Sequence, residues 1–444
     1  MNQSTSLHEP LQALDKQQLI DFIDNLYGLD KTIDERIDRL LAANDPKQLA
    51  SLFKKTIASL NRRTAFVSYS ESFELSSEIE QLALAIFNDL LPLAADQAVD
   101  LLEKLLATGV NSLERCDDSG GDVGGAYQEI VLLWLRAAKQ ADKTEQHWIK
   151  KIKAFKEQDD YSLFDPLLPN AGLLLSEESL RELAFYYETE LRRTSDDWQA
   201  LRSSVNVTSM AIALGDTELY ERCLLFRSPK PNTMQLASLV QFCLEQGDEV
   251  RALKWLESID EHSARWLILK IRTYQGLNQT EKLPNLCQQL LMHEPSLDHL
   301  KTVMDICPEQ NDQWRELALG LMERLDVIGQ IELLLSLQQY DEALRAAMHH
   351  YTDLKHSYYG SLTHLLEQVP DECLLLRVML YRCLLLDLLD RAYAKAYSHG
   401  ARYLKALRTL DSKIDDYQAL DTHAQLEAFL HQKHGRKRSF WALF

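Results

Sequence analysis

The chain has 444 residues, enough for two or three domains or for one extended repeat array, and 46% of them are hydrophobic against 26% charged. That balance supplies a core and excludes wholesale disorder. A formal charge of −19 excludes nucleic-acid binding over the whole surface, because phosphate is repelled from most of it, and leaves room only for local basic patches.

The 15 glycines and 11 prolines are about half the usual share, and helix formers dominate, so the predicted fold is all-α. Residues 1–15 read as loosely ordered. Asp15 caps a predicted helix through Gly28, and Asp30 with Thr32 starts the next. Pro46 opens a third at its first turn, where proline sacrifices no helical hydrogen bond. Apolar residues recurring at three and four predict helices over 76–91 and 95–109. Ahead of the first of these, Arg62-Arg63 precede the β-branched and aromatic stretch 64–71. With Tyr69 they form a candidate grip for a phosphate or carboxylate, or they pair with the protein's own acidic surface.

The stretch Arg115-Cys-Asp-Asp-Ser-Gly-Gly-Asp-Val-Gly-Gly125 interrupts the helical pattern, and a new helix is expected from about Ala126. Asp118, Asp122 and Glu129 stand at positions one, five and twelve of a calcium-loop register, but Gly120 and Val123 spoil positions three and six. Asp117 and Asp122 equally suit the start of the following helix, and recognition of a partner is the third reading. No bound metal is expected. Lys139, Lys143, Lys150, Lys151, Lys153 and Lys156 form one basic cluster, and Lys433, Arg436, Lys437 and Arg438 another. Each is a solvated helix face or a local anion site.

Residues 159–170, with two prolines, read as a linker leading to a helix over 176–194. The expected domains are therefore 1–158, a connecting piece 159–195, and a repeat array 196–444 ending in a cap. In the array a turn recurs at Gly215-Asp216, Gly247-Asp248, Gly276-Leu277 and Gln338-Gln339-Tyr340, with further breaks at Val369-Pro370 and His399-Gly400. A period near 31 with a central turn marks stacked helical hairpins of tetratricopeptide type, an α-solenoid. Gly247 is followed five positions later by Ala252, and Gln338 by Ala343, small residues that let the two helices approach.

The adjacent His349-His350 point to different helix faces, so packing suits them better than metal ligation. Seven scattered cysteines, an odd number without a Cys-x-x-Cys pair, read as reduced core thiols of a cytoplasmic protein. Leu374–Leu389 is greasy but carries Arg377, Arg382 and Asp387, which predicts a buried helix and no membrane span. No nucleophile elbow, phosphate loop or zinc helix occurs, so neither catalysis nor a cofactor is expected.

Three segments, Phe66-Val-Ser-Tyr-Ser-Glu-Ser72, Leu113-Glu-Arg-Cys-Asp-Asp-Ser-Gly-Gly-Asp-Val-Gly124 and His434-Gly-Arg-Lys-Arg-Ser-Phe-Trp-Ala-Leu443, resemble a bacterial family of uncharacterised helical-repeat proteins. That family's region is similar to the one downstream of the zinc finger in SWIM-finger proteins. The SWIM pattern needs Cys-x-Cys, which is absent here, so the zinc is not carried over. The resemblance implies a link to nucleic-acid-processing complexes as the alternative to a protein or peptide partner held in the solenoid groove. The apolar Phe440, Trp441, Leu443 and Phe444 predict that the tail folds back on the last hairpin or enters another chain, with Arg436, Lys437 and Arg438 at the surface.

Overall fold

The computed structural model describes residues 14–444, so the expectation for residues 1–13 lies outside the described residues. Among them no strand forms, only one isolated parallel bridge between Val67 and Cys116. The fold is all-α and of the helical-hairpin, α-solenoid class. It divides into two compact units, Met1–Phe242 and Cys243–Phe444.

The first unit contains α1 (Lys16–Leu26), α2 (Lys31–Leu41), α3 (Pro46–Asn61), α4 (Tyr69–Ala85), α5 (Ala95–Leu106), α6 (Gly109–Glu114), α7 (Asp122–Ala138) and α8 (Glu145–Glu157). It continues through α9 (Glu177–Arg193), α10 (Asp197–Leu214) and α11 (Thr217–Arg227) into α12 (Thr233–Glu245), within which the boundary falls. Capping explains most starts. Asp15 and Gln18 close a reciprocal capping box, Asp30 and Asp45 each accept two first-turn amides, and Ser176 and Asp196 cap α9 and α10.

Two starts fall earlier than the sequence suggests. Helix α4 begins at Tyr69 and not at 76, because Ser68 and Glu71 form a capping box there. Helix α7 begins at Asp122 and not at Ala126. A left-handed Gly121 (φ 76°) precedes it, and it takes Gly124 and Gly125 into its first turn. Residues 159–170, read in the sequence as a linker, carry Leu163, Leu167 and Leu168 in the core of this unit. That core centres on Trp134, fully buried and edge-on to Trp148 and Phe155 at 5.6 and 5.1 Å.

The second unit contains α13 (Glu249–Glu257), α14 (Ala264–Gly276), α15 (Leu283–His293), α16 (Leu297–Ile306), α17 (Asn311–Gly320), α18 (Val327–Ser336), α19 (Tyr340–His349), α20 (Tyr351–Lys355) and α21 (Tyr359–Gln368). It ends with α22 (Leu374–Asp390), α23 (Tyr397–Asp411), α24 (His423–His434) and α25 (Arg438–Trp441). Helix α22 is mostly apolar and largely buried between neighbouring helices, and no described helix is long and apolar enough to cross a membrane. Its Arg382 donates to the Asp421 carbonyl at 2.6 Å and lies over the Tyr417 ring, while burial lowers its affinity for its proton.

The recurring turn has one geometry. Gly215, Gly247, Asn278 and Gln338 all have positive φ, at intervals of 32, 31 and 60 residues. In each case the next residue's amide reaches back to the carbonyl five positions earlier: Asp216 to Ala211, Asp248 to Cys243, Gln279 to Tyr274 and Gln339 to Leu334, all at 2.8–2.9 Å. The positive-φ residue itself bonds three back, which makes every one a Schellman C-cap. Asp216 and Asp248 then cap the following helix, so one dipeptide ends one helix and begins the next.

The third turn sits two residues beyond the expected Gly276, which instead permits the close approach of Glu249: a Cβ there would meet its Cγ at 2.5 Å. The expected break at His399-Gly400 is corrected. Those residues lie inside α23, and the chain reverses at Ala392 (φ 53°). Ala252 and Ala343 are fully buried, as close-packed hairpins require.

Candidate interaction site

The two oddities of the first unit meet. The Val67 amide donates to the Arg115 carbonyl at 2.8 Å, and the Asp117 amide donates to the Val67 carbonyl at 2.9 Å. This stitch lays the segment before α4 beside the acidic glycine loop. Tyr69, 59% exposed, lies against Gly120, and Ser72 reaches Asp122 at 3.4 Å.

The arginines do not present a grip. Arg63 makes a two-pronged pair with Glu78 at 2.6 and 2.5 Å, which raises its affinity for its proton further. Arg62 turns back to the Ala58 carbonyl at 3.0 Å. The pairing with the protein's own acids is therefore the one observed for Arg63.

The acidic loop is a cap. Asp118 accepts the Val123 and Gly124 amides, one on each carboxylate oxygen, both at 2.9 Å. Asp117 holds Ser119, and Asp122 is the first residue of α7, so Asp118 does the capping in place of Asp117 and Asp122. Among the described residues no three His, Cys, Asp or Glu side chains stand together as metal ligands. Burial, followed by the Asp118 carboxylate, pushes the Cys116 thiol up and makes it a poor nucleophile. Arg115 is a functional candidate that no sequence pattern singles out. It is 7% exposed, lies behind the loop, and its Nε and Nη2 have no hydrogen-bond partner among the described residues.

The fold engages five of the six lysines of the cluster, and Lys150 is exposed. Lys139 donates to the Leu174 carbonyl, Lys143 and Lys151 pair with Asp96 and Glu103, and Lys153 lies 3.6 Å over the Tyr186 ring. Lys156 is buried against Asp159 at 2.9 Å. A phosphate backbone would have to displace these partners. In the second unit the tail folds back: Phe440 is fully buried, edge-on to Tyr397, and Trp441 stacks on His431 and donates to the His434 carbonyl at 3.0 Å. Leu443 and Phe444 remain 41% exposed, and Arg436 and Arg438 lie at the surface with Lys437 half-buried.

A surface absent from the sequence reading lies on α10. Trp198, Leu201, Val205 and Ile212 are 71, 47, 50 and 42% exposed, and their spacing of three, four and seven puts them on one stripe. The opposite face, with Ala200, Val207, Met210 and Ala211, is buried in the core. One helix thus carries two apolar faces, one of them without cover in the unit. Leu201 and Val205 border a cleft of about 360 Å³ shared with α11 and the first half of α12. Leu224 and Tyr220 supply its other apolar wall, Thr208, Ser209 and Ser238 bring hydroxyls, and Arg227 is its cation. The signal in the sequence is the excess of apolar residues in 197–214 over what a single buried face needs.

Matches to the DUF6880 family, described as a family of unknown function, cover residues 1–216 and 203–443. The chain belongs to this family. The match agrees with the uncharacterised helical family expected above and shows nothing of the relation to SWIM-finger proteins. No curated protein matches. Among solved structures, the chain is similar to a circular tandem repeat protein with novel repeat topology and enhanced subunit contact surfaces. Identity is 13%, 96% of each chain is covered and the TM-score is 0.19, a likeness too slight to bear on fold or function.

Proposed function

We propose that this DUF6880 protein is a non-enzymatic scaffold whose first unit holds an apolar segment of a protein partner in the cleft beside α10. The observation that carries this reading is the second apolar stripe, Trp198, Leu201, Val205 and Ile212, exposed on a helix whose other face already serves the core. Leaving such a stripe in water forgoes roughly 25 cal/mol per Å² that a partner recovers on docking. Trp198 at one end of the stripe, with Leu201, Val205 and Leu224 along the cleft and hydroxyls beside them, suits a helix or extended segment whose side chains enter the cleft. The alternative of a nucleic-acid accessory factor finds no support in the lysine cluster, five of whose six members are engaged internally.

The test is affinity capture from the native host with wild type and with Leu201→Glu/Val205→Glu, compared by quantitative mass spectrometry. Both side chains are exposed, so the helical circular dichroism should be unchanged. A partner retained by wild type and lost by the variant supports the reading. Identical protein profiles for the two baits would refute it.

A further inference from the structure

The second unit carries a face of opposite character. From Arg391 to Leu410 there are five cations, Arg391, Lys395, Arg402, Lys405 and Arg408, and no Asp or Glu, in a chain whose net charge is −19. The tail adds to it. Phe440 sits against Gly400 of α23, where a Cβ would lie 3.1 Å from its ring, and Phe444 lies under Lys405 and Arg408. The basic run Arg436-Lys437-Arg438 is therefore held at this same helix.

Some of the charge is neutralised: Arg391 pairs with Asp387, Arg408 with Glu427 and Lys433 with Asp390. Lys395, Arg402, Lys405, Arg436, Lys437 and Arg438 have no carboxylate at ion-pair distance among the described residues. Beside the cations lies a cavity of about 550 Å³ walled by Tyr359, Leu388, Tyr393 and Ala396, with Arg391 and His399 at its edge. Its single carboxylate is Asp387, already held by Arg391 at 2.8 Å. Arg402 donates to Nδ1 of His399 at 2.6 Å, which joins the cavity edge to the cationic side of α23. Tyr358, Tyr393 and Tyr359 are 78, 58 and 40% exposed.

We propose that this face binds single-stranded nucleic acid, with the free cations along α23 and the tail on the phosphates and a base against Tyr393 in the cavity. Cations alone would serve any anion. Open tyrosine rings next to a line of unpaired cations use both parts of a nucleotide, since every base offers a flat face to an aromatic ring. The acidic remainder of the molecule confines the contact to a few phosphates, so affinity is modest and salt-sensitive. This site is independent of the α10 cleft, in residues and in chemistry.

The experiment is fluorescence anisotropy of the full-length protein with a labelled oligouridylate of about 20 nucleotides. For roughly four neutralised phosphates, the dissociation constant should rise about 50-fold between about 50 and 200 mM salt. Lys395→Glu/Arg402→Glu, both at exposed positions, should weaken binding at least about tenfold. Tyr393→Ala should weaken it about fivefold or more through the lost stack, without altering the salt slope. Absence of binding at the lower salt overturns the proposal. So does equal binding of a labelled oligoglutamate that Tyr393→Ala leaves unchanged, which would assign the face to acidic protein segments.

Discussion

The turns of the array and the two long-range closures of the molecule solve the same problem by opposite means. At Gly215, Gly247, Asn278 and Gln338 the chain reverses with hydrogen bonds that span five residues, and the chemistry sits in the turn itself. The Val67–Cys116 stitch and the seating of Phe440 on Gly400 instead join residues far apart in sequence, and neither partner is meaningful without the other. Local closures can repeat and drift, because each is complete within its own hairpin. Long-range closures occur once and tolerate little change. This difference orders the expected cost of breaking them.

The largest loss should come from Phe440→Ala. A fully buried ring packed against Tyr397, Trp441 and Phe444 leaves a cavity at the end of the second unit, and the expected destabilisation is about 3–5 kcal/mol. Chemical denaturation with a probe in the second unit would measure it. Deleting residues 436–444 should likewise lower stability without changing the oligomeric state seen by light scattering, whereas loss of an oligomer at unchanged fold would assign the tail to an interface.

Next comes Asp118→Ala at the junction. It frees two amides at the start of α7 and should cost about 1–2 kcal/mol, while Asp122→Ala, whose carboxylate caps nothing, should cost little. Equal effects of the two variants would show that the loop acts through its charge and not through Asp118's two bonds. Gly247→Val should also cost about 1–2 kcal/mol. No atom lies within 4 Å of the added Cβ, so the loss is backbone strain at φ 72° alone. Gly247→Asn, which tolerates that conformation better, should recover part of it.

The same contrast sets what the sequence could tell. The turns were legible because period, glycine and small residues sit within one window: Gly247 with Ala252 predicts a hairpin by itself. Asp15, Asp30, Pro46 and Ser176 announced their helices for the same reason. At α4 the local signal is present, since Ser68-Tyr-Ser-Glu71 spells a capping box that the apolar spacing from 76 onward overshadows. Asp118, by contrast, caps α7 through amides five and six residues on, and the four glycines in 120–125 hide it. His399-Gly400 looked like a turn, since a glycine kept for close approach to Phe440 is indistinguishable in sequence from one kept for positive φ. The individual basic residues were equally visible, but their fate was not. Lys151 finds Glu103 and Arg63 finds Glu78 only in the folded chain, whereas Lys395 and Arg402 find no carboxylate among the described residues.

The smallest effect has the opposite sign and tests whether the array's turns are interchangeable. Gln338 occupies the left-handed position that Gly215 and Gly247 fill, with φ 60° and the same pair of reaching-back bonds. A glutamine there bears the Cβ clash of a left-handed residue, while glycine in the unfolded chain loses more entropy on folding. The first cost exceeds the second, so Gln338→Gly should stabilise by roughly 0.5–1 kcal/mol. Asn278→Gly should gain less, because asparagine enters this conformation more readily than glutamine. Thermal unfolding of both variants beside wild type reads the order directly. A loss of stability in Gln338→Gly would mean that the side chain, and not the backbone, holds that turn, and the geometric equivalence of the four turns would then not extend to their energetics.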